Sequence, residues 1–297
     1  MKVLNFGSLN LDFVYSLDHI VKPGETISST GLEINCGGKG LNQSVALARA
    51  GAQVFHAGLV GEDAGMLLAA CDENGVDRKF IRTSEVRTGN AIIQRAKSGQ
   101  NSIVLFGGAN QENSKEFVDE VLSHFEKGDL ILLQNEVNLL DYMIEEAYRR
   151  GMVIALNPSP YDEKVAACDL GKVTYFLMNE VEGAEITGKE DAGDILDEML
   201  KRYPNAKIVL TLGKTGVVYR DSTAEYRHGI YDVPVVDTTA AGDTFTGFFL
   251  ASVLAGDDLP EALRKASVAS SIAVSKKGAT ASIPFAKDVL TSDLKLM

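Results

Sequence analysis

Cysteine is scarce: Cys36, Cys71 and Cys168 are the three in 297 residues, and no two form a Cys-x-x-Cys pair. An odd, scattered set provides neither a disulfide framework nor a zinc site. Reduced thiols suit the cytosol. Cys36 precedes a glycine turn, where a small buried filler is the plain reading and a ligand-sensitive thiol the other. Basic residues are also short: 29 Lys and Arg face 41 Asp and Glu, a net charge of −12, and none of the cations form a run of the length that polyanionic partners attract. Nucleic acid and anionic membrane are therefore poor partners. Asn5, Asn10 and Asp12 interrupt the N-terminal segment, so neither a leader nor a spanning helix is expected there. No repeat, low-complexity tract or long linker is present.

Two common phosphate motifs are also missing. Gly213-Lys214-Thr215 imitates the end of a Walker A loop, but Ile208 stands where that loop needs glycine. Val217-Val218-Tyr219 then reads as a strand where a helix should follow. No Gly-x-Gly-x-x-Gly opens a helix after the first strand, which argues against a nicotinamide dehydrogenase.

Two glycine turns are there instead. Asp237-Thr238-Thr239-Ala240-Ala241-Gly242-Asp243 opens a long apolar helix. Helix N-terminal amides bind anions without Lys or Arg, and a carboxylate beside them can take the proton of an attacking hydroxyl. Asp243 is thus a candidate base and Ala240, Ala241 and Gly242 a candidate anion hole; the plainer reading is an ordinary helix cap. Far upstream, Gly37-Gly38-Lys39-Gly40-Leu41-Asn42-Gln43 precedes an apolar helix expected over Ser44 to Ala50. Its glycines permit close backbone approach, with Lys39 and Asn42 as polar contacts.

With 45% hydrophobic residues, the chain has enough apolar content for one large α/β core. Strands alternate with helices, the pattern of parallel sheets with right-handed crossovers. Strands are expected at Val3 to Leu9, Gln53 to Val60, Leu130 to Gln134, Val153 to Asn157, Tyr175 to Met178 and Ile208 to Leu212. Helices are expected at Ala64 to Asn74, Leu139 to Arg150, Glu180 to Thr187, Gly242 to Ala255 and Leu259 to Lys276. Phe13 to Asn35 and Thr88 to Phe106 break the alternation. Their β-type pieces, Thr26 to Ile34, Asn90 to Ala96 and Ser102 to Phe106, read as a small antiparallel sheet inserted at one edge.

The paired motifs, Gly-Gly-Lys-Gly-x-Asn early and Asp-Thr-x-Ala-Ala-Gly-Asp late, resemble the signatures of the ribokinase-like (PfkB-type) carbohydrate kinases over nearly the whole chain. The resemblance implies a three-layer α/β fold with a central, mostly parallel sheet and a small β-sheet lid. It implies a single kinase domain over 1–297, with lid segments at about 13–35 and 88–106. Asp243 would deprotonate a sugar hydroxyl. Asn10, Asp12, Gly38, Lys39, Gly40, Asn42 and Glu136 would meet the sugar, Asn10 and Asp12 from the end of the first strand. Asn179, Glu182, Thr211, Gly213, Gly216, Gly242 and Ser267 would serve ATP and its Mg2+. Asp237, with Thr239, Ala273, Lys276, Gly278 and Ser282, would hold K+. A homodimer paired through the lid is implied as well.

Within the family the motifs come closest to members that phosphorylate ribose, with Pro23-Gly24-Glu25-Thr26, Gly107 to Asn110 and Asn157-Pro158-Ser159-Pro160 in step. Departures bear on the acceptor. Leu41 stands where a smaller Ala is common and could reshape a pocket wall; Phe106, Asn135 and Ser267 also differ. A nucleoside, fructose or another pentose stays open as acceptor, and so does a non-catalytic sugar-binding protein, although an intact Asp243 and Asn179-x-x-Glu182 argue against the last.

Overall fold

Short runs such as Leu130–Gln134 and Lys207–Thr211 carry apolar residues without polar alternation, and each becomes a strand buried on both faces. In the computed structural model, which describes residues 1–297, the chain begins with strands β1 (Val3–Phe6), β2 (Asn10–Leu17) and β3 (Gly31–Gly37), then helix α1 (Lys39–Arg49). β4 (Val54–Val60), α2 (Gly65–Glu73), β5 (Asp77–Thr83), β6 (Gly89–Ala96), β7 (Asn101–Phe106) and α3 (Lys115–Leu122) follow. Next come β8 (Leu130–Gln134), α4 (Leu140–Arg149), β9 (Val153–Asn157), α5 (Glu163–Ala166), β10 (Tyr175–Asn179), α6 (Glu180–Thr187) and α7 (Ala192–Arg202). The last third holds β11 (Lys207–Thr211), β12 (Val217–Arg220), β13 (Glu225–His228), α8 (Ala241–Ala255), α9 (Leu259–Val274) and α10 (Ala286–Leu290).

Nine strands make one sheet in the order β13-β12-β11-β10-β9-β8-β1-β4-β5. From β11 to β5 every pairing is parallel, and β12 and β13 close one edge antiparallel. Successive strand residues feed opposite faces. Leu130 and Leu132 join a cluster of 34 buried residues with α1, α2, α8 and α9, while Ile131 and Leu133 join one of 32 with α3, α4, α6 and α7. Two cores of similar size on one sheet are the three layers expected.

α1 and α8 cross closely because Gly247 has no side chain. A Cβ there would collide with the Ala46 side chain and stand 2.7 Å from the Leu47 nitrogen. At the head of α1, a Cβ on Gly40 would run into the main chain of Ser8.

A second sheet of four strands, β3-β2-β6-β7, is the lid. It corrects the sequence reading in three places. First, β1 ends at Phe6, so Asn10 and Asp12 do not close the first strand but lie on β2, inside the lid. Second, the lid is mixed: β2 pairs with β6 in parallel, from Asn10↔Gly89 to Leu17↔Ala96, and only its flanks are antiparallel. The long intervening chain permits this, since parallel neighbours need a crossover and not a hairpin. Third, Thr26 to Thr30 are not strand; the Thr30 N–H and hydroxyl turn back onto the Ser16 carbonyl at 2.9 and 3.1 Å, and β3 starts at Gly31.

Two further corrections concern α1. The helix starts at Lys39, five residues before the expected Ser44, with Gly38 at φ +91° as its N-cap. Leu41 is fully buried in the core and lines no pocket wall. Ile34, Phe13, Ile92 and Val104 stand side by side across the four lid strands. They lie on the face opposite Asp12, since strand neighbours alternate, and Ile34, Ile92 and Val104 are exposed.

Candidate active site

The carboxyl ends of β8, β9, β10 and β11 open toward the N-termini of α1, α6 and α8, the usual position of a ligand crevice in an open α/β sheet. A cleft of about 230 Å3 lies there, lined by Lys39, Asn179, Glu182, Thr211, Gly242 and Asp243 among others. Residues more than two hundred positions apart in sequence therefore share one wall.

Asp243 is buried in the first turn of α8 but does not cap it. The N-cap is Ala240, held at φ +59° with no side-chain bond, a left-handed conformation costly for a non-glycine residue and characteristic of functional turns. The carboxylate instead receives two amides from α1: Asn42 Nδ2 donates to Oδ2 at 3.0 Å and Gln43 Nε2 to Oδ1 at 2.9 Å. Ala241 N–H donates to the Thr238 carbonyl and Thr244 N–H to that of Ala240. Gly242 and Asp243 N–H find no acceptor within the chain and remain as the free donors of a helix start.

Lys39 points into the same cleft. Burial alone would lower its pKa, but Asp243, Glu136 and Glu182 outweigh that and raise it. Three carboxylates around one ammonium leave negative charge in excess in the cleft, although they do not converge as a three-carboxylate metal site. Asn179 and Glu182 meet as a capping box at α6. Asn179 Oδ1 accepts the N–H groups of Val181 and Glu182, and Glu182 Oε2 accepts the Asn179 N–H at 2.8 Å. The Asn-x-x-Glu element is thus helix-start chemistry that also lines the cleft.

Among the residues expected to meet the sugar, Glu136 Oε2 accepts from the Ser8 hydroxyl and, at 2.9 Å, from the Lys39 N–H. Asn10 Oδ1 accepts from Asn110 Nδ2 at 2.7 Å. Asn42 has both ends of its amide engaged, by Asp243 and by the Thr280 hydroxyl. Burial, reinforced by Glu136, pushes the Asp12 carboxyl up to about 7, from an ordinary value of about 3.9. Between these values the folded chain holds the proton more tightly than the unfolded chain, so this carboxyl lowers stability progressively as pH rises through the window and levels off above it. Asp12→Asn is therefore expected to match the parent's melting temperature near the acid end and exceed it increasingly toward neutral pH. Thermal melts across that range check this; a difference that stays flat with pH would contradict it.

Other sequence candidates lie apart. Ser267 is buried on α9 and does not line the cleft. Gly213 and Gly216, at φ +52° and +98°, belong to the turn joining β11 to antiparallel β12, just after Thr211. Asn135 is spent on the Pro160 carbonyl, and Phe106 is exposed on the lid. Asp237 Oδ1 accepts the Thr239 N–H and hydroxyl at 2.9 and 2.6 Å, and Oδ2 the Gly278 N–H at 3.0 Å. Burial would raise this carboxyl, but these donors and Arg95 hold it below the usual range. Asp237, Thr239 and Gly278 are thus together; the Ala273 carbonyl accepts Lys276 N–H, and the Ser282 hydroxyl is spent on Ala279. Gln43, Thr238 and Thr246 were not singled out from the sequence; for Gln43, its place beside Asn42 was the available signal. Burial pushes the Cys36 and Cys168 thiols up to about 11 and Cys71 to about 12, which disfavours the reactive thiolate. No helix is long and apolar enough to cross a membrane.

Comparison with known proteins agrees with this geometry. Residues 1–286 match the pfkB family carbohydrate kinases. A ribokinase of Haemophilus influenzae is 36% identical, over 96% of this chain and 95% of its own. The ribokinase of Cryptococcus neoformans var. grubii, solved with ADP, superposes with a TM-score of 0.85 at 32% identity, covering 97% of this chain and 98% of that one. The ribokinase of Arabidopsis thaliana, complexed with ribose and ATP, gives 0.84 at 29% identity, over 97% of each chain. With both signature turns meeting at one cleft and the match running almost end to end, this chain belongs to the pfkB family of carbohydrate kinases.

Proposed function

We propose that the protein transfers the γ-phosphoryl group of ATP to the 5-hydroxyl of D-ribose. The observation that carries this reading is Asp243: a carboxylate held by two amides, beside the unpaired N–H groups of Gly242 and Asp243 and the Lys39 ammonium, in a cleft that also reaches Asn179 and Thr211. Asp12, Asn10 and Glu136 orient the sugar, Asp243 takes the proton as its hydroxyl attacks, and the free amides of Gly242 and Asp243 receive the charge gathering on the transferred group. Glu182 would hold magnesium, which would neutralise charge on the phosphates. Asp237 and the 273–282 loop would hold potassium, which would stabilise the adjacent Ala240-Ala241-Gly242 turn.

The whole chain acts as one kinase domain, and the lid closes over the sugar and excludes water. The lid's exposed apolar row seats a second copy of this chain, since a small sheet with one uncovered face is marginal in water. Three unpaired thiols, two of them buried, fit a cytoplasmic protein.

ADP formation from ATP and magnesium is the test, run with ribose, deoxyribose, fructose and nucleosides in potassium and in sodium, with light scattering on the same samples. Ribose turnover stimulated by potassium, from a dimer, is expected. Dominant turnover of a nucleoside would keep the chemistry and replace the acceptor. Sugar binding without turnover would leave a binding protein, and a strict monomer at micromolar concentration would remove the dimer.

A further inference from the structure

Behind Asp243 runs a chain of hydrogen bonds that enters no step above. Gln43 Nε2 donates to Asp243 Oδ1 at 2.9 Å, and Gln134 Nε2 donates to Gln43 Oε1 at 2.7 Å. The same Gln134 nitrogen donates to Asn5 Oδ1 at 2.9 Å, and Asn5 Nδ2 to Ser44 Oγ at 2.8 Å. Ser44 Oγ meets His56 Nδ1 at 2.8 Å, and His56 Nε2 meets the Gly7 carbonyl at 3.2 Å. Gln43, Gln134, Asn5, Ser44 and His56 are all fully buried, so water offers none of them another partner.

Each link fixes the direction of the next. A carbonyl only accepts, so His56 Nε2 carries the proton and Nδ1 is the acceptor. Burial pushes the imidazole down to about 4, which keeps it neutral and that lone pair free. Ser44 must then donate to Nδ1 and accept from Asn5. Asn5 turns its oxygen to Gln134, Gln134 turns its nitrogen to Gln43, and Gln43 is left with its nitrogen toward Asp243. One cost marks the arrangement as imposed: Gln134 Oε1 is buried with no partner. Turning that amide over would bring oxygen against oxygen at both Gln43 and Asn5, losing two bonds.

We propose that Gln43 is a positioning residue for Asp243, and that the buried line Gln134–Asn5–Ser44–His56 locks its amide so that it always donates to the carboxylate. The inference rests on Asp243 acting as the base. With Asn42 on Oδ2 and Gln43 on Oδ1, the carboxylate plane cannot swing, and the lone pair facing the acceptor hydroxyl stays in line. Gln134 lies one layer further back, so it acts through Gln43 and not on the acceptor.

The test combines Gln43→Met, Gln134→Met, the double variant and Asp243→Asn, with kcat and KM for the acceptor and ATP, melting temperature, and acceptor affinity by calorimetry. Misplacing a reacting group by about 1 Å costs roughly a hundredfold. Gln43→Met is expected to lose about tenfold to a hundredfold in kcat, with both KM values and acceptor affinity close to the parent's. Gln134→Met should lose less and add nothing further in the Gln43→Met background, the non-additivity of residues acting in series. Nitrogen-15 spectra of the parent should show His56 as the neutral Nε2–H tautomer. Parent-like kcat in Gln43→Met with Asp243→Asn inactive would overturn this inference alone. So would additive losses in the double variant, losses that follow the melting temperature and KM, or His56 as the Nδ1–H form. An active Asp243→Asn would overturn the base itself.

Discussion

Asp243→Asn is expected to fold and to bind the sugar with near-parent affinity while losing about two to four orders of magnitude in kcat. The substitution keeps shape and volume but removes the proton acceptor. It also confronts the Asn42 and Gln43 amides, both donating to Asp243, with a group that has only one oxygen. One of the two bonds is lost, and a residual rate persists because the free N–H groups of Gly242 and residue 243 still face the transferred phosphoryl group. The decisive comparison is single-turnover phosphorylation against sugar binding measured by calorimetry. Loss of both together would indicate a damaged site, and retained turnover would remove Asp243 from the chemistry.

Gly247→Val is expected to cause a clear loss of stability by overpacking the crossing of α1 and α8. A side chain there enters the space held by Ala46 and the Leu47 backbone, and overpacking of this kind costs about 1–3 kcal/mol. Backbone cannot retract as a flexible side chain can, so α8 must lift from α1. Gly247 lies one turn after Asp243 on the same helix face, so the shift is passed to the two amide bonds that hold the carboxylate. Both melting temperature and turnover should fall. Gly65→Ala, at a helix position where a Cβ meets nothing within 4 Å, is the control that should leave both intact. A Gly247→Val protein with the parent's melting temperature would show that the helix crossing tolerates a larger gap than the contact distances allow.

Much of this site was legible because its chemistry is written in residue types with few substitutes. Only a glycine-rich turn at a helix start presents free amides, and only a carboxylate beside it can take a proton, so Gly242 and Asp243 stood out before any strand was placed. The parallel strands were legible for a related reason: Leu130–Gln134 and Lys207–Thr211 are buried on both faces and read as unbroken apolar runs. Strands that ran against this pattern were missed. β5 (Asp77–Thr83) and β13 (Glu225–His228) sit at the two edges of the large sheet and carry mostly charged, exposed residues. The parallel pairing of β2 with β6 was invisible because periodicity marks a strand but not its neighbour. Gln43 and Leu41 show the same limit within a motif. Two positions apart on α1, one is a polar residue spent on Asp243 and the other a core residue, and only the direction of the helix separates them.

The β2–β6 pairing also sets an order of assembly. β3, α1, β4, α2 and β5 all lie between the two strands in sequence, so closing that ladder early would tie off a long loop before any of the intervening elements were placed. Formation of the large sheet brings the two strand starts together and makes the closure cheap. A chain paused halfway through folding therefore possesses the glycine turn of α1 but not the wall that carries Asn10 and Asp12. With the sugar held by those residues as proposed, acceptor binding would reward only the finished molecule and select for the last step of folding rather than guide the first.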